Sequence, residues 1–258
     1  MTAAVQRTLP RFGGFSAGVI RLELRRLMRN RRTVIFTLVM PAVFYLLFGS
    51  SQNYRTERVG AGNVAGFVLI SMAVYGAMLA TTSGGAMVAV ERAAGWSRQL
   101  RLTPLRPAAY IAVKLVLAMI LGAVSVAVAF AVGAVAGAQL PAAAWVECGV
   151  LAWACALVFA AFGLFMGYLL PSENVMQILG PVLAVLSFAG GLFVPVDQLG
   201  DTFATIAKFT PVYGVGEIAR YPLVHDGNLW LAALNVVVWT ALFAAGAMWR
   251  FRRDTARV

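Results

Sequence analysis

The chain has 258 residues, of which 61% are hydrophobic and only 12% charged, and its mean hydropathy is +0.81. A soluble globule with a polar shell is hard to build from this composition, so a polytopic helical membrane protein is the expected class. Lysine and arginine outnumber the acids 21 to 10, but the excess falls in short blocks between apolar runs, which suits loops on the inner side of a membrane and argues against a nucleic-acid-binding stripe.

Residues 15–32 come first. Helical spacing places Ile20, Leu24, Leu27 and Met28 on one face with Arg21, Arg25, Arg29 and Arg32 beside it, and Leu22 breaks the pattern. This fits a basic amphipathic helix lying at the inner headgroup boundary, the alternative being an unstructured polybasic anchor. Six apolar runs follow, at 33–49, 64–90, 108–136, 142–170, 175–194 and 229–249, each a candidate transmembrane helix. The first carries Pro41, which a membrane helix tolerates where a neighbour satisfies the freed carbonyl. It does not end in a small-residue cleavage site, so a removable signal peptide is not expected. The third and fourth runs exceed the bilayer thickness and call for tilt or extension into water. Cys148 and Cys155 both sit in the fourth run, about 10 Å apart along a helix, too far to bridge.

Basic residues orient the spans. Arg7, Arg11, Arg21, Arg25, Arg26, Arg29, Arg31 and Arg32 precede the first run, Arg92, Arg98, Arg101 and Arg106 fill the second connection, and Arg250, Arg252, Arg253 and Arg257 close the chain. The opposite side holds only Arg55, Arg58, Lys208 and Arg220. Both termini and the second connection are therefore expected in the cytoplasm, as an even number of spans requires. Tyr110, Tyr168 and Trp249 then fall near inner ends, and Trp145 and Trp230 near outer ends, where amphipathic rings sit at headgroup level.

The spans are poor in groups that bind ions or relay protons. Glu147 and Lys114 lie close to span ends, where both are expected to snorkel. The sole histidine, His225, has no second histidine or cysteine near it in sequence, so no metal site is expected. No G-x-x-x-x-G-K-[ST] loop is present, so the chain should not bind ATP by that route. Active transport would need an engine elsewhere. Gly84-Gly85 and Gly190-Gly191 are candidates for close helix contact or local unwinding, and the small-xxx-small pairs Gly133 with Gly137 and Gly163 with Gly167 for helix contacts.

The second connection, 91–107, reads ERAAGWSRQLRLTPLRP. Helical spacing puts Trp96, Leu100 and Thr103 on one face and Arg98 and Arg101 on the other, and Pro104 ends the turn. The residues alone allow either a surface-lying lever or a positive-inside topogenic loop.

Here the chain resembles the ABC-2 type transporter permeases. The likeness is carried by Glu91, Arg92, Gly95, Leu100, Thr103, Pro104, Leu105 and Tyr110, and by the outer segment with Pro195, Leu199, Pro211 and Arg220. Within that family it is most similar to the drug-exporter branch associated with daunorubicin-type resistance. The resemblance implies an all-α membrane protein with six transmembrane helices, an N-terminal connecting helix over 15–32, a cytoplasmic coupling helix over 91–105, and an outer loop with two short helices dipping into the outer leaflet. It divides the chain into a cytoplasmic N-terminus (1–32), a six-span domain (33–249) and a basic tail (250–258). It implies no catalytic site in this chain. ATP and magnesium would be bound by two copies of a separate ABC ATPase, which would push on Glu91, Arg92, Gly95, Trp96, Leu100, Thr103, Pro104 and Leu105 while a second permease copy, in a homodimer, completes the pathway. Many relatives carry Thr and an acidic residue after the glycine; here Trp96, Ser97 and Arg98 follow Gly95.

The leading expectation is export of an amphipathic drug, antibiotic or lipid-like compound across a bacterial plasma membrane. Its candidate path in spans two and five carries Met72, Tyr75 and Met78, then Met176, Leu183 and Phe188. Two other classes compete. A lipid-modifying membrane enzyme would need convergent acids, yet Glu173, Asp197 and Asp201 are split between opposite sides. An ion-coupled carrier is weakened by the empty midplane.

Overall fold

The computed structural model describes residues 17–29, 31–95, 107–198 and 200–256. Helices α1 (Ala17–Arg29), α2 (Arg31–Phe48) and α3 (Gln52–Thr56) lead to a short antiparallel hairpin of β1 (Arg58–Val59) and β2 (Gly62–Asn63). Eight more α-helices follow among the described residues. They are α4 (Val64–Ala93), α5 (Pro107–Val135), α6 (Ala142–Cys155), α7 (Leu157–Leu169), α8 (Val175–Ala189), α9 (Asp201–Ala207), α10 (Pro211–Val224) and α11 (Leu229–Ala256). The expected all-α membrane class is what the chain adopts, because a helix satisfies its own backbone hydrogen bonds where no water can.

Among the described residues four helices are long and apolar enough to cross a membrane: Val64–Ala93, Ala109–Val135, Ala142–Leu169, in which α6 and α7 join, and Leu229–Arg253. The first and fifth apolar runs form shorter apolar helices, Thr37–Phe48 and Gln177–Ala189. The fifth run was expected to continue to residue 194. It stops at Ala189, where Gly190 caps the helix and Gly191 turns the chain at φ +75°. Fifteen helical residues rise about 22 Å, less than the ~30 Å hydrocarbon core.

The central element is α4, which packs on α2, α5, α7 and α10. Inside the chain 83% of its apolar window is buried, against 11% for α11. Small residues let α4 accept neighbours on all sides. At Gly76 an added Cβ would lie 2.6 Å from Ser125 Oγ and 2.7 Å from Pro41 Cγ, so α2, α4 and α5 converge there. Pro41 has no N–H to offer the carbonyl of Thr37 one turn earlier. The Ser125 hydroxyl donates to that carbonyl at 3.4 Å, supplying the partner that the sequence required.

At the N-terminal end of α4, Asn63 ties three segments together. Its Oδ1 accepts from Gly66 N (2.8 Å), capping α4, and from Gln139 N (2.9 Å). Its Nδ2 donates to the carbonyls of Arg55 and Gly137, both at 3.0 Å. The side chain is fully buried. Asn63→Ala should lower stability by about 3 kcal/mol, since buried backbone groups lose their partner. The unfolding midpoint of the purified chain measures this.

At this hairpin end α10 packs on α4, α6, α8 and α11. Thr210 caps it by accepting from Tyr213 N at 3.3 Å, Pro211 fills its first turn, and His225 ends it in the left-handed conformation. Arg220 is buried on its inner face, donating to the Gly191 carbonyl (2.9 Å) and pairing with Glu217 (3.1 Å), with its guanidinium 4.9 Å from the Phe67 ring. Phe203, Ile206 and Phe209, on and just after α9, are exposed. Cys148 and Cys155 are free thiols.

Candidate functional site: an ion cluster at the basic end of the bundle

The end of the bundle away from the hairpin gathers α1, the last turn of α4 and the first turns of α5. Glu91 lies in that last turn of α4, where the helix dipole disfavours a carboxylate and burial disfavours its charge. It is nonetheless only 2% exposed, because cations and donors surround it. Lys114 Nζ lies 2.5 Å from Glu91 Oε1, Arg26 Nη1 lies 3.2 Å from the same oxygen, and the Tyr110 hydroxyl donates to Oε2. Lys114 also reaches Glu23 Oε2 at 2.7 Å, and Arg26 stands 3.8 Å from Glu23 Oε1. Two carboxylates and two cations thus balance, and the charges neutralise one another at a place where water is scarce.

The α1 pattern explains how Glu23 arrives there. Ile20, Glu23, Leu24 and Leu27 are half-buried on one face, while Arg21, Leu22 and Arg25 are exposed on the other. Met28 belongs to α1, but its side chain lies outside the described residues. Glu23 therefore shares the face that packs on α5, and the cluster welds α1 to α4 and α5.

Arg92 turns the other way. Its Nη1 donates to the carbonyls of Gly167 (3.2 Å) and Tyr168 (3.1 Å) at the end of α7, and its guanidinium stacks 5.4 Å from the Tyr168 ring. Those carbonyls lack helical partners and carry the negative end of the dipole, so a guanidinium suits them. Adjacent residues Glu91 and Arg92 consequently grip opposite neighbours. Gly95 follows at φ +73°, ending α4 in the left-handed conformation that favours glycine, with its N–H donating to the Arg92 carbonyl at 3.0 Å. Trp96, Leu100, Thr103, Pro104 and Leu105 lie outside the described residues.

Three members of the cluster were not foreseen. Lys114 was expected to snorkel; instead its side chain is 4% exposed and held between two carboxylates, because α1 covers the end of α5 through which it would reach water. Glu23 is an acid on an otherwise apolar face, and such a lone acid is a signal that a buried cation awaits it. Tyr110 stood out as an aromatic near a span end and as part of the family likeness, but not as a partner of Glu91. Among the side chains expected along a substrate path, Met72, Tyr75, Met78 and Leu183 are buried within the chain and Phe188 is half exposed. Met176 lies in the first turn of α8, but its side chain is outside the described residues. Tyr75 joins a run of rings, 5.8 Å from Phe44 and 5.0 Å from Phe193, and Phe193 lies 4.8 Å from Phe188.

The family described as ABC-2 type transporter matches residues 18–224, from α1 through α10. The chain belongs to the ABC-2 type transporter family. A Bacillus subtilis (strain 168) protein named a transport permease, YvfS, is 29% identical over 225 residues, which cover 86% of this chain and 90% of that protein. The chain is accordingly an all-α, multi-pass membrane permease subunit, and membership of this ABC-2 family implies partnership with an ABC ATPase.

Proposed function

We propose that this permease couples ATP hydrolysis on a separate ATPase to export of an amphipathic drug, antibiotic or lipid-like compound. Two permease copies would form a homodimer served by two ATPase copies, which hold the ATP and magnesium. The basic end, with both termini, would face the cytoplasm of a bacterial cell, and the six apolar runs would all act as spans within 33–249, between the N-terminus (1–32) and the basic tail (250–258). The drug-exporter branch remains the source of the cargo proposal.

The observation that supports this reading best is the opposed grip of Glu91 and Arg92. Segment 96–106 is flanked by α4 and α5, and both are tied to α1 through Glu91, Lys114 and Glu23. A push on that segment would therefore reach the connecting helix and, through Arg92, α7. An ion-driven carrier would need an unpaired carboxylate, whereas Glu91 is already saturated by Lys114, Arg26 and Tyr110.

Co-reconstitution with a candidate ABC ATPase in proteoliposomes tests this, reading ATP hydrolysis and efflux of a fluorescent amphipathic dye. Gly95→Val forces a β-branched residue into the left-handed region and is expected to lower ATP-coupled efflux at least about tenfold while the complex still assembles, a loss of about 1.4 kcal/mol of coupling. Full efflux by the permease alone without ATP, or wild-type coupling in Gly95→Val, would overturn the proposal.

A further inference from the structure

The last turns of α11 carry a cationic fork with no assigned role. Arg253 Cζ stands 4.3 Å from the Trp249 ring and Arg250 Cζ 5.2 Å from it, so two guanidinium groups converge on one indole. Arg250 Nε is buried and has no hydrogen-bond acceptor among the described residues. Among the described residues no carboxylate pairs with either arginine. A buried N–H without an acceptor is costly and calls for an oxygen from outside the chain.

The same helix supplies a route to that fork. Leu234, Val238, Leu242 and Trp249 recur at helical spacing on one face, and all are exposed, Trp249 by half. Only 11% of the apolar window of this span is buried, the smallest share of the four candidate spans among the described residues, so this face is open to hydrocarbon chains. Arg253, one turn beyond Trp249, continues the same stripe. An apolar stripe that runs along a span and ends in an indole and two guanidiniums matches an amphiphile whose tail is apolar and whose head is a phosphate ester.

We propose that the end of α11 binds an anionic phospholipid, with the headgroup phosphate between Arg250 and Arg253 and the acyl chains along Leu234, Val238 and Leu242. A zwitterionic lipid offers the same phosphate with a neutralising ammonium, so the fork selects net negative charge. In the orientation proposed above the lipid belongs to the cytoplasmic leaflet, but binding itself requires neither ATPase nor transport.

The test uses the full-length purified permease in detergent, with phosphatidylglycerol or phosphatidylcholine of matched acyl chains added, and native mass spectrometry to count bound lipid. Phosphatidylglycerol should bind saturably and in preference to phosphatidylcholine. Arg250→Gln with Arg253→Gln should weaken it by roughly thirtyfold, at about tenfold per 1.4 kcal/mol, and leave phosphatidylcholine binding unchanged. Arg253→Gln alone, at an exposed position, should retain the wild-type melting temperature and lose part of the preference. Arg21→Gln with Arg25→Gln on α1 should keep it. Equal binding of the two lipids, a preference that survives the double α11 variant or vanishes with the α1 variant, or occupation by inorganic phosphate in competition with the lipid, overturns the proposal. Because no ATPase is present, this outcome is independent of whether coupled export holds.

Discussion

Lys114→Met is expected to destabilise the purified permease by about 3–5 kcal/mol, the range for breaking a buried ion pair from one side. Methionine keeps the length and apolar stem of the side chain but removes the ammonium that lies 2.5 Å from Glu91 and 2.7 Å from Glu23. Arg26 remains, yet its side chain is 47% exposed, so it screens through solvent and cannot replace a fully enclosed cation. Glu91 would be left near a helix C-terminus with one phenolic donor and a partial partner.

The second half of this expectation is a rescue. Adding Glu91→Gln to Lys114→Met removes the stranded charge, and the pair should recover at least half of the lost stability, a strongly non-additive result. Coupling should not recover with it. Lys114→Met has removed the ammonium that Glu91 and Glu23 shared, so the ionic tie of α1 to α4 and α5 through it stays broken. Stability restored with ATP-coupled efflux still low would separate the transmitting role of the cluster from its packing role. Additive losses in the unfolding midpoint would mean that Glu91 and Lys114 do not act as a pair.

Helices were legible in the sequence because long apolar runs leave the backbone few alternatives in a membrane. Pro41 even announced its need for a donor, which Ser125 supplies. The hairpin at Arg58–Asn63 was not legible, since strands of two residues carry no periodicity. Asn63 stood directly before an apolar run, where a helix cap belongs, but its bonds to Gly137 and Gln139 join segments 74 and 76 residues apart. The ion cluster was hidden for the same reason. Glu23 and Lys114 are 91 residues apart; Lys114 alone resembled an ordinary interfacial charge, and Glu23 drew no reading of its own. Only the covering of α5 by α1 turns that charge inward. Glu91 and Arg92 were noticed through family likeness, but their opposite directions depend on α5 lying on one side of α4 and α7 on the other.

The seam between α4 and α7 should tolerate little added bulk, and Gly163→Val is expected to cost well over ~3 kcal/mol, beyond the usual range for an overpacked core. A Cβ at Gly163 would lie 2.3 Å from the Thr82 carbonyl oxygen and 2.8 Å from its Cα, while one at Gly85 would lie 2.7 Å from Ala160 O and Leu164 N. These obstacles are backbone atoms, so no rotamer change relieves them. The helices must separate by about 1 Å or more to restore ordinary contact distances near 3.5 Å. Separation would also break the bond from Thr82 Oγ1 to the Phe159 carbonyl and draw the end of α7 away from Arg92. Gly149→Ala in α6 is the contrasting case, because the nearest atom to its Cβ would be 3.6 Å away. There alanine should add about 0.5–1 kcal/mol through helix propensity alone. Unfolding midpoints of the two variants should move in opposite directions. A Gly163→Val midpoint within a degree or two of wild type would mean that α4 and α7 do not meet backbone to backbone. In that event Arg92 would lose the fixed surface against which any push on segment 96–106 could act.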